Sequence, residues 1–345
     1  MKAALLTQIN GPLAVDDITL GALAEGQVLV KILVTGICGF QLQELAGTKG
    51  NPNMVPRRFG HEACGIVEQT GPGVKKVKRG DKVVLHWRKG DGIESDFPVY
   101  SYKGKSMTSG KITTFSEYSI CSENRMTPVA DDIPDDVCAL LGCGLSTALA
   151  TFEHEADLHK GESVLVVGVG GLGACVIKAA KIMGAHPIVA IDVHDKAEAA
   201  RSLGADIFIN TKEQLVADAL TAHALKNFNV IIETSGNVRA IEDTIPHLAP
   251  SGRYIMVGQP KPGQDAVLKN VGHLFDGDGK MIRATQGGKF SPSTDIPRYI
   301  ELYRSGSLNI EGIISNRATL DTINDAVKLM KGGSTQRIMI DIWRS

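Results

Sequence analysis

The chain has no run of about 18 or more apolar residues, so no membrane-spanning helix is expected. The opening Met1-Lys2-Ala3-Ala4-Leu5-Leu6-Thr7-Gln8 lacks the long apolar segment of a secretory signal, and the expected location is cytoplasmic. Aromatic residues make up only 5%, too few for base-stacking platforms. A formal net charge of −1 offers no basic field to nucleic acid or an anionic membrane, and neither is an expected partner. The six cysteines, at 38, 64, 121, 138, 143 and 175, form no CxxC pair. That spacing argues against a disulfide framework but leaves single thiols available as metal ligands. No internal repeat or low-complexity segment is present. What remains is a 345-residue chain with 43% hydrophobic content, enough for two domains with full cores.

The most informative stretch is Ser163-Val164-Leu165-Val166-Val167-Gly168-Val169-Gly170-Gly171-Leu172-Gly173. A β-branched apolar run enters Gly168-x-Gly170-x-x-Gly173, and Ala174 to Met183 reads as a helix. Gly168 permits the tight turn, Gly170 lets backbone approach a pyrophosphate, and Gly173 lets the helix pack on the strand. The helix N-terminus faces the phosphates with its positive end. A second strand ends at Asp192, nineteen residues after Gly173. A carboxylate there bonds both ribose hydroxyls of an adenosine and repels a 2′-phosphate. Strand, helix, strand and acid together predict a dinucleotide site that prefers NAD to NADP.

The first third reads as short strands, at Val28 to Val34, Gly65 to Glu68, Gly80 to Leu85 and Phe115 to Cys121, with Trp87 to Ser109 as a long loop. Val137 to Ala156 reads as one helical stretch, and βαβ units follow from Ser163. Further strands are expected at Val230 to Glu233, Tyr254 to Val257, Met281 to Gln286 and Arg337 to Ile342, with a helix from Ile296 to Ser305. The prediction is an α/β protein. A doubly wound parallel-sheet domain over 146–285 is inserted into a β-rich domain built from 1–145 and 286–345.

Three short pieces carry possible metal chemistry: Thr35-Gly36-Ile37-Cys38-Gly39, Gly60-His61-Glu62-Ala63 and Leu141-Gly142-Cys143-Gly144. A lone cysteine is more often a small buried hydrophobe, and a lone histidine a surface or satisfied core residue. Two thiolates and one imidazole together would make a three-ligand zinc site with an open position. With these pieces in place, the chain resembles the zinc-dependent alcohol dehydrogenases of the medium-chain dehydrogenase/reductase superfamily, nearly end to end. The resemblance runs through Gly60-His61-Glu62-Ala63-Cys64-Gly65-Ile66-Val67-Glu68, Thr70-Gly71-Pro72-Gly73-Val74, Gly80-Asp81-Lys82-Val83-Val84 and Gly142-Cys143-Gly144-Leu145-Ser146-Thr147. It continues through the glycine loop, Leu203-Gly204-Ala205-Asp206, Val257-Gly258 and Gly287-Gly288.

The resemblance implies a GroES-like catalytic domain and a Rossmann domain with the active site in the cleft. It implies one catalytic Zn2+ on Cys38, His61 and Cys143, with Glu62 beside the metal as a transient ligand. Gly168, Gly170, Gly171, Leu172, Gly173 and Val257 fall to the cofactor, Asp192 and Lys196 to its adenosine ribose, Arg337 to its pyrophosphate and Thr147 to its nicotinamide. Taken alone, Lys196 or Arg337 reads as a solvated surface charge.

Two departures stand out. Relatives follow Cys-Gly with a hydroxyl residue and, three positions on, a histidine that together relay the substrate proton; here those places hold Phe40 and Gln43, which can do neither. Zinc-bound hydroxide, Glu62 or the substrate itself is left to take the proton. The lobe where relatives carry four structural-zinc cysteines reads Lys89-Gly90-Asp91-Gly92-Ile93-Glu94-Ser95-Asp96, with none. The resemblance puts Phe40 and Trp87 at the substrate pocket, a core tryptophan being the alternative for Trp87. His86, Arg88, Lys89, Arg57 and Arg58 stand near enough to give it cationic character, solvated surface charge being the alternative. The remaining histidines, His194 among them, read as surface.

The leading expectation is hydride transfer between NAD(H) and an alcohol or carbonyl substrate that is polar, polyhydroxylated or anionic. Two other readings stay open. One is a zinc-free NAD(P)H reductase of activated double bonds or quinones, against which the full ligand set speaks. The other is an inactive nucleotide-binding protein, which the missing relay alone supports. The expected assembly is a homodimer or homotetramer.

Overall fold

The computed structural model describes residues 1–51 and 53–344. The first domain is organised by the eleven-residue strand Gln27–Ile37. Val28, Val30 and Ile32 alternate onto one face and are buried, and a bulge between Ile32 and Val34 turns Val34 into the core on the other face. One edge of this strand pairs with Glu62–Thr70, beyond which lie Lys82–His86 and Met126–Val129. The other edge is shared by two strands from distant parts of the chain: Tyr118–Ser122 along its first half and Arg337–Asp341 along its second. Ile314–Thr319 then runs parallel to Arg337–Asp341 and completes seven strands. A separate hairpin, Lys2–Leu6 with Leu13–Asp17, takes Arg57–Arg58 as its third strand.

The stretch from Trp87 to Ser109, expected as loop, contains the antiparallel hairpin Val99–Tyr102 with Lys105–Thr108. It reverses at Lys103 and Gly104, both at positive φ (+50° and +74°), which matches the twist that a tight hairpin needs. Tyr100 and Met107 carry it into the core with Tyr102 packed at the edge, so the apolar signal is too sparse to announce a strand.

The second domain is a six-stranded parallel sheet in the order Ile207–Asn210, Ile188–Asp192, Val164–Val167, Phe228–Glu233, Leu248–Met256, Met281–Ala284. The chain moves outward from the central strand and then returns to its other side, so a crevice opens above Val164–Val167. Every residue of that strand is buried, as a strand covered by helices on both faces must be.

The stretch expected as one helix from Val137 to Ala156 is broken. Helix Asp135–Leu141 stops, helix Gly144–Ala150 starts, and a π-helical turn spans Thr151–Ala156. Gly142 packs so closely that a Cβ would collide with the Leu85 carbonyl, and Cys143 leaves the helical region with φ −153° and ψ −75°. Leu141, Leu145 and Leu149 around this break join Val34 and Val84 of the first sheet to Val164 and Val166 of the second in one core. Among the described residues no single helix is long and apolar enough to cross a membrane.

Candidate active site

Cys38 caps helix Gly39–Leu45, and its N–H donates to Gln41 Oε1 at 2.7 Å. His61 enters strand Glu62–Thr70 through Gly60, which has φ +102° and where any Cβ would strike Thr114. Cys143 sits in the helix break. These three elements bring two thiols and an imidazole together, with all donor atoms within 4.8 Å of one another. His61 Nε2 is buried and has no hydrogen-bond partner among the described residues. An orphaned imidazole nitrogen facing two thiols is costly in a bare protein, and this nitrogen–sulfur set suits tetrahedral Zn2+ with an open fourth place. The hydrogen bond with Cys143, helped by His61, holds the Cys38 thiol well below its ordinary range; the same contact and burial push Cys143 up.

Glu62 stands outside this cluster. Its carboxylate, fully buried, makes an ion pair with Arg337 and accepts from the Gly144 N–H at 3.3 Å. Burial pushes the carboxyl up and Arg337 pulls it back. Gly36 is needed here because a side chain would collide with the Glu62 carboxylate. Arg337 opens strand Arg337–Asp341, lies against Gly171, and so bridges the donor cluster and the glycine loop.

The glycine loop is built as the sequence suggests. Gly168 has φ +92°, and a Cβ on Gly173 would collide with the Gly168 carbonyl. Asp192 ends its strand with Oδ2 accepting from the Val169 N–H at 2.8 Å and Oδ1 from the His194 N–H at 2.9 Å. Lys196 is buried rather than solvated; its ammonium donates to the carbonyls of Val169 at 2.9 Å and Thr335 at 3.0 Å, and lies 3.8 Å from Asp192. Its first role is therefore to pin the loop to the segment before Arg337. His194 is exposed, as expected, but it also lines the crevice beside Asp192, which its lone position in the sequence did not signal.

One cleft of about 850 Å3 runs from Asp192 past Leu172, Gly170, Val257 and Thr147 to Cys38, His61 and Cys143. Phe40 stands beside the donor cluster, 6.2 Å from His61 between ring centroids, and Leu42, Met54, Trp87, Phe97 and Ile112 add apolar side chains to the cleft lining. Trp87 stacks edge-on against Phe290.

Of the expected cationic mouth, Arg57 and Arg58 reach the cleft, whereas Arg88 and Lys89 do not. Arg58 borders the cleft, yet the residue is buried, and its guanidinium lies over Tyr100 and donates to Thr113 O, Tyr118 O and Ser116 Oγ. Arg57 donates to the carbonyls of Glu44 and Asn51. Arg88 bonds the Gln286 carbonyl, and neither it nor the exposed Lys89 lines the cleft. His86 is fully buried between Arg88 O and Thr127 Oγ1; burial lowers its pKa to about 3, so the ring is neutral. The guanidiniums of Arg57, Arg58 and Arg88 are thus held by carbonyls, and His86 lies in the core. Glu44 and Gln259, which do line the cleft, were not among the expected site residues.

A GroES-like domain, a Rossmann sheet and a Cys-His-Cys cluster at their junction define the class of the zinc-binding dehydrogenases. The zinc-binding dehydrogenase family matches residues 171–305, and the alcohol dehydrogenase GroES-like domain matches 24–131. Alcohol dehydrogenase 1 of Hordeum vulgare is 30% identical, over 98% of this chain and 96% of its own length. S-(hydroxymethyl)glutathione dehydrogenase of Paracoccus denitrificans is 26% identical, over 98% and 99%. The structure of benzyl alcohol dehydrogenase from Acinetobacter calcoaceticus superposes with a TM-score of 0.87 at 25% identity, covering 99% of both chains. The chain belongs to the zinc-dependent alcohol dehydrogenases of the medium-chain dehydrogenase/reductase superfamily.

Proposed function

We propose that this chain is a zinc-dependent, NAD-linked dehydrogenase that interconverts an apolar or aromatic alcohol and its carbonyl. The observation that carries the reading is the cluster of Cys38, His61 and Cys143, with His61 Nε2 unpartnered, in the same cleft as a glycine loop and Asp192. Cys38, His61 and Cys143 would hold Zn2+, which supplies a Lewis acid for the substrate oxygen. Asp192 presents its carboxylate to the adenosine ribose and disfavours a 2′-phosphate. Thr147 and Val257 line the cleft between loop and cluster, where a nicotinamide would lie. Gln41 holds the Cys38 main chain, and the Arg337–Glu62 pair keeps that carboxylate away from the donors.

The substrate reading follows from the walls. Phe40, Trp87, Phe97 and Met54 offer area for a hydrophobic body, and the Arg57 and Arg58 guanidiniums that share the cleft are held by main-chain carbonyls. The name of the Acinetobacter relative points to an aromatic alcohol as well. The orphaned donor set argues against a zinc-free reductase.

The test is metal analysis of purified protein together with NAD- and NADP-linked turnover on aliphatic, benzylic and sugar-type alcohols. Expected are one zinc per chain, higher kcat/KM with NAD, and preference for benzylic over sugar-type alcohols; Cys143→Ser should lose zinc and activity together. Turnover that survives without zinc, a preference for NADP, or sugar phosphates as best substrates would each refute the corresponding part.

A further inference from the structure

Two carboxylates line the cleft, and they differ in what holds them. Asp192, at the nucleotide end, has an N–H on each oxygen. Glu44 lies at the other end, on helix Gly39–Leu45, whose cap is Cys38. It is half-buried, and Arg57 donates to its main-chain carbonyl at 3.1 Å rather than to its carboxylate. No hydrogen bond or ion pair reaches that carboxylate among the described residues. Three other side chains that could be considered are already engaged or inert. Glu62 is tied to Arg337 and Gly144, Phe40 has no proton to move, and Gln43 donates its amide to the Gln259 carbonyl at 3.3 Å.

We propose that Glu44 is the proton acceptor for alcohol oxidation in this cleft, reached by the substrate hydroxyl directly or through one water. The proposal rests on the dehydrogenase reading above. In the step, the substrate O–H bond breaks and its proton passes to a Glu44 carboxylate oxygen. The C–H electron pair leaves as hydride to oxidised nicotinamide, giving carbonyl, reduced nicotinamide and neutral Glu44. Partial exposure then lets Glu44 shed the proton to solvent. Arg57 from strand Arg57–Arg58, His61 and Cys38 are the charged and titratable groups that act on it. Burial raises the Glu44 carboxyl above its usual value, Arg57 and His61 lower it and Cys38 raises it again. The net rise brings it closer to the neutral range where a general base works best.

The experiment compares the wild type with Glu44→Gln and Glu44→Asp, in zinc-loaded protein of measured metal content and NADH affinity. An infrared pH titration of the carboxyl band is recorded on each. Expected for Glu44→Gln are unchanged zinc and NADH binding, loss of one carboxyl band titrating above the ordinary glutamate range, and a fall in kcat of about a hundredfold. The acidic limb of its kcat–pH profile should disappear, while Glu44→Asp keeps a displaced limb and part of the rate. A limb and kcat within about threefold of the wild type in Glu44→Gln, or a rise confined to KM, overturns the proposal. If Glu44→Gln does not fold, an unshifted limb in Glu44→Asp overturns it instead. Wild-type protein without alcohol turnover refutes the dehydrogenase reading, whereas turnover indifferent to Glu44 refutes only this assignment.

Discussion

A guanidinium buried against Tyr100 and bonded to three partners contributes to the fold before it can contribute to a substrate. Arg58→Leu removes the charged donor shared by Thr113 O and Tyr118 O, which keep only the Ser119 and Ser116 hydroxyls. It should cost about 2–3 kcal/mol in urea unfolding and leave KM for the preferred alcohol unchanged. A KM effect without a stability loss would return Arg58 to the substrate. The same contrast explains what the sequence could disclose at this scale. Cys38, His61 and Cys143 stand in short glycine-flanked pieces whose residue types limit their chemistry, and they meet as expected. Arg57, Arg58 and His86 carry no such restriction: where a side chain of a short strand points depends on which neighbour the strand finds. Arg57–Arg58 finds Leu5 and Leu6, a pairing across some fifty residues of chain that no local pattern records.

Elements without a strong period were the ones misread. The hairpin Val99–Tyr102 with Lys105–Thr108 and the break at Gly142 and Cys143 both depend on tertiary contacts, in the second case on Leu85. The cysteine-free lobe shows what replaces metal at that scale. Glu123 accepts from the N–H groups of Lys75 at 2.6 Å, Lys76 at 2.5 Å and Ile93 at 3.0 Å, drawing two segments onto one carboxylate. Arg125 adds a fork onto Glu94. Burial alone would raise the Glu123 carboxyl, but the bonds from Ile93, Lys76 and Lys75 outweigh it and hold the group below its ordinary value. A group depressed in the folded state stabilises above its unfolded pKa, and that contribution is lost as pH falls through the folded value. Glu123→Gln should therefore cost about 2 kcal/mol near pH ~7, with the gap to wild type closing under acid. A gap that stays constant across that pH range would show that the lobe is held by something other than this charge.

At the scale of the molecule, the glycine loop and the sheet order it serves were legible because parallel strands buried on both faces leave continuous apolar runs. The joining of the two chain ends was legible in outline, yet its consequence for the site was not. Arg337 starts the strand that pairs with Gln27–Ile37 from the far end of the chain, and its side chain reaches both Glu62 and the glycine loop. Closure of the first sheet thus places a cation between the donor cluster and the nucleotide loop. Both charges are fully buried, so each depends on the other. Removing one partner of such a pair typically costs about 3–5 kcal/mol, because the other charge is left unpaired in a poor solvent, while removing both costs much less. Arg337→Met should accordingly destabilise the metal-loaded protein by that amount and weaken NADH binding. Arg337→Met with Glu62→Gln should recover most of the stability but not the NADH affinity, because the cation beside Gly171 stays absent. Equal losses in the single and double variants, measured by urea unfolding and NADH fluorescence, would mean that the pair does not couple the two sites.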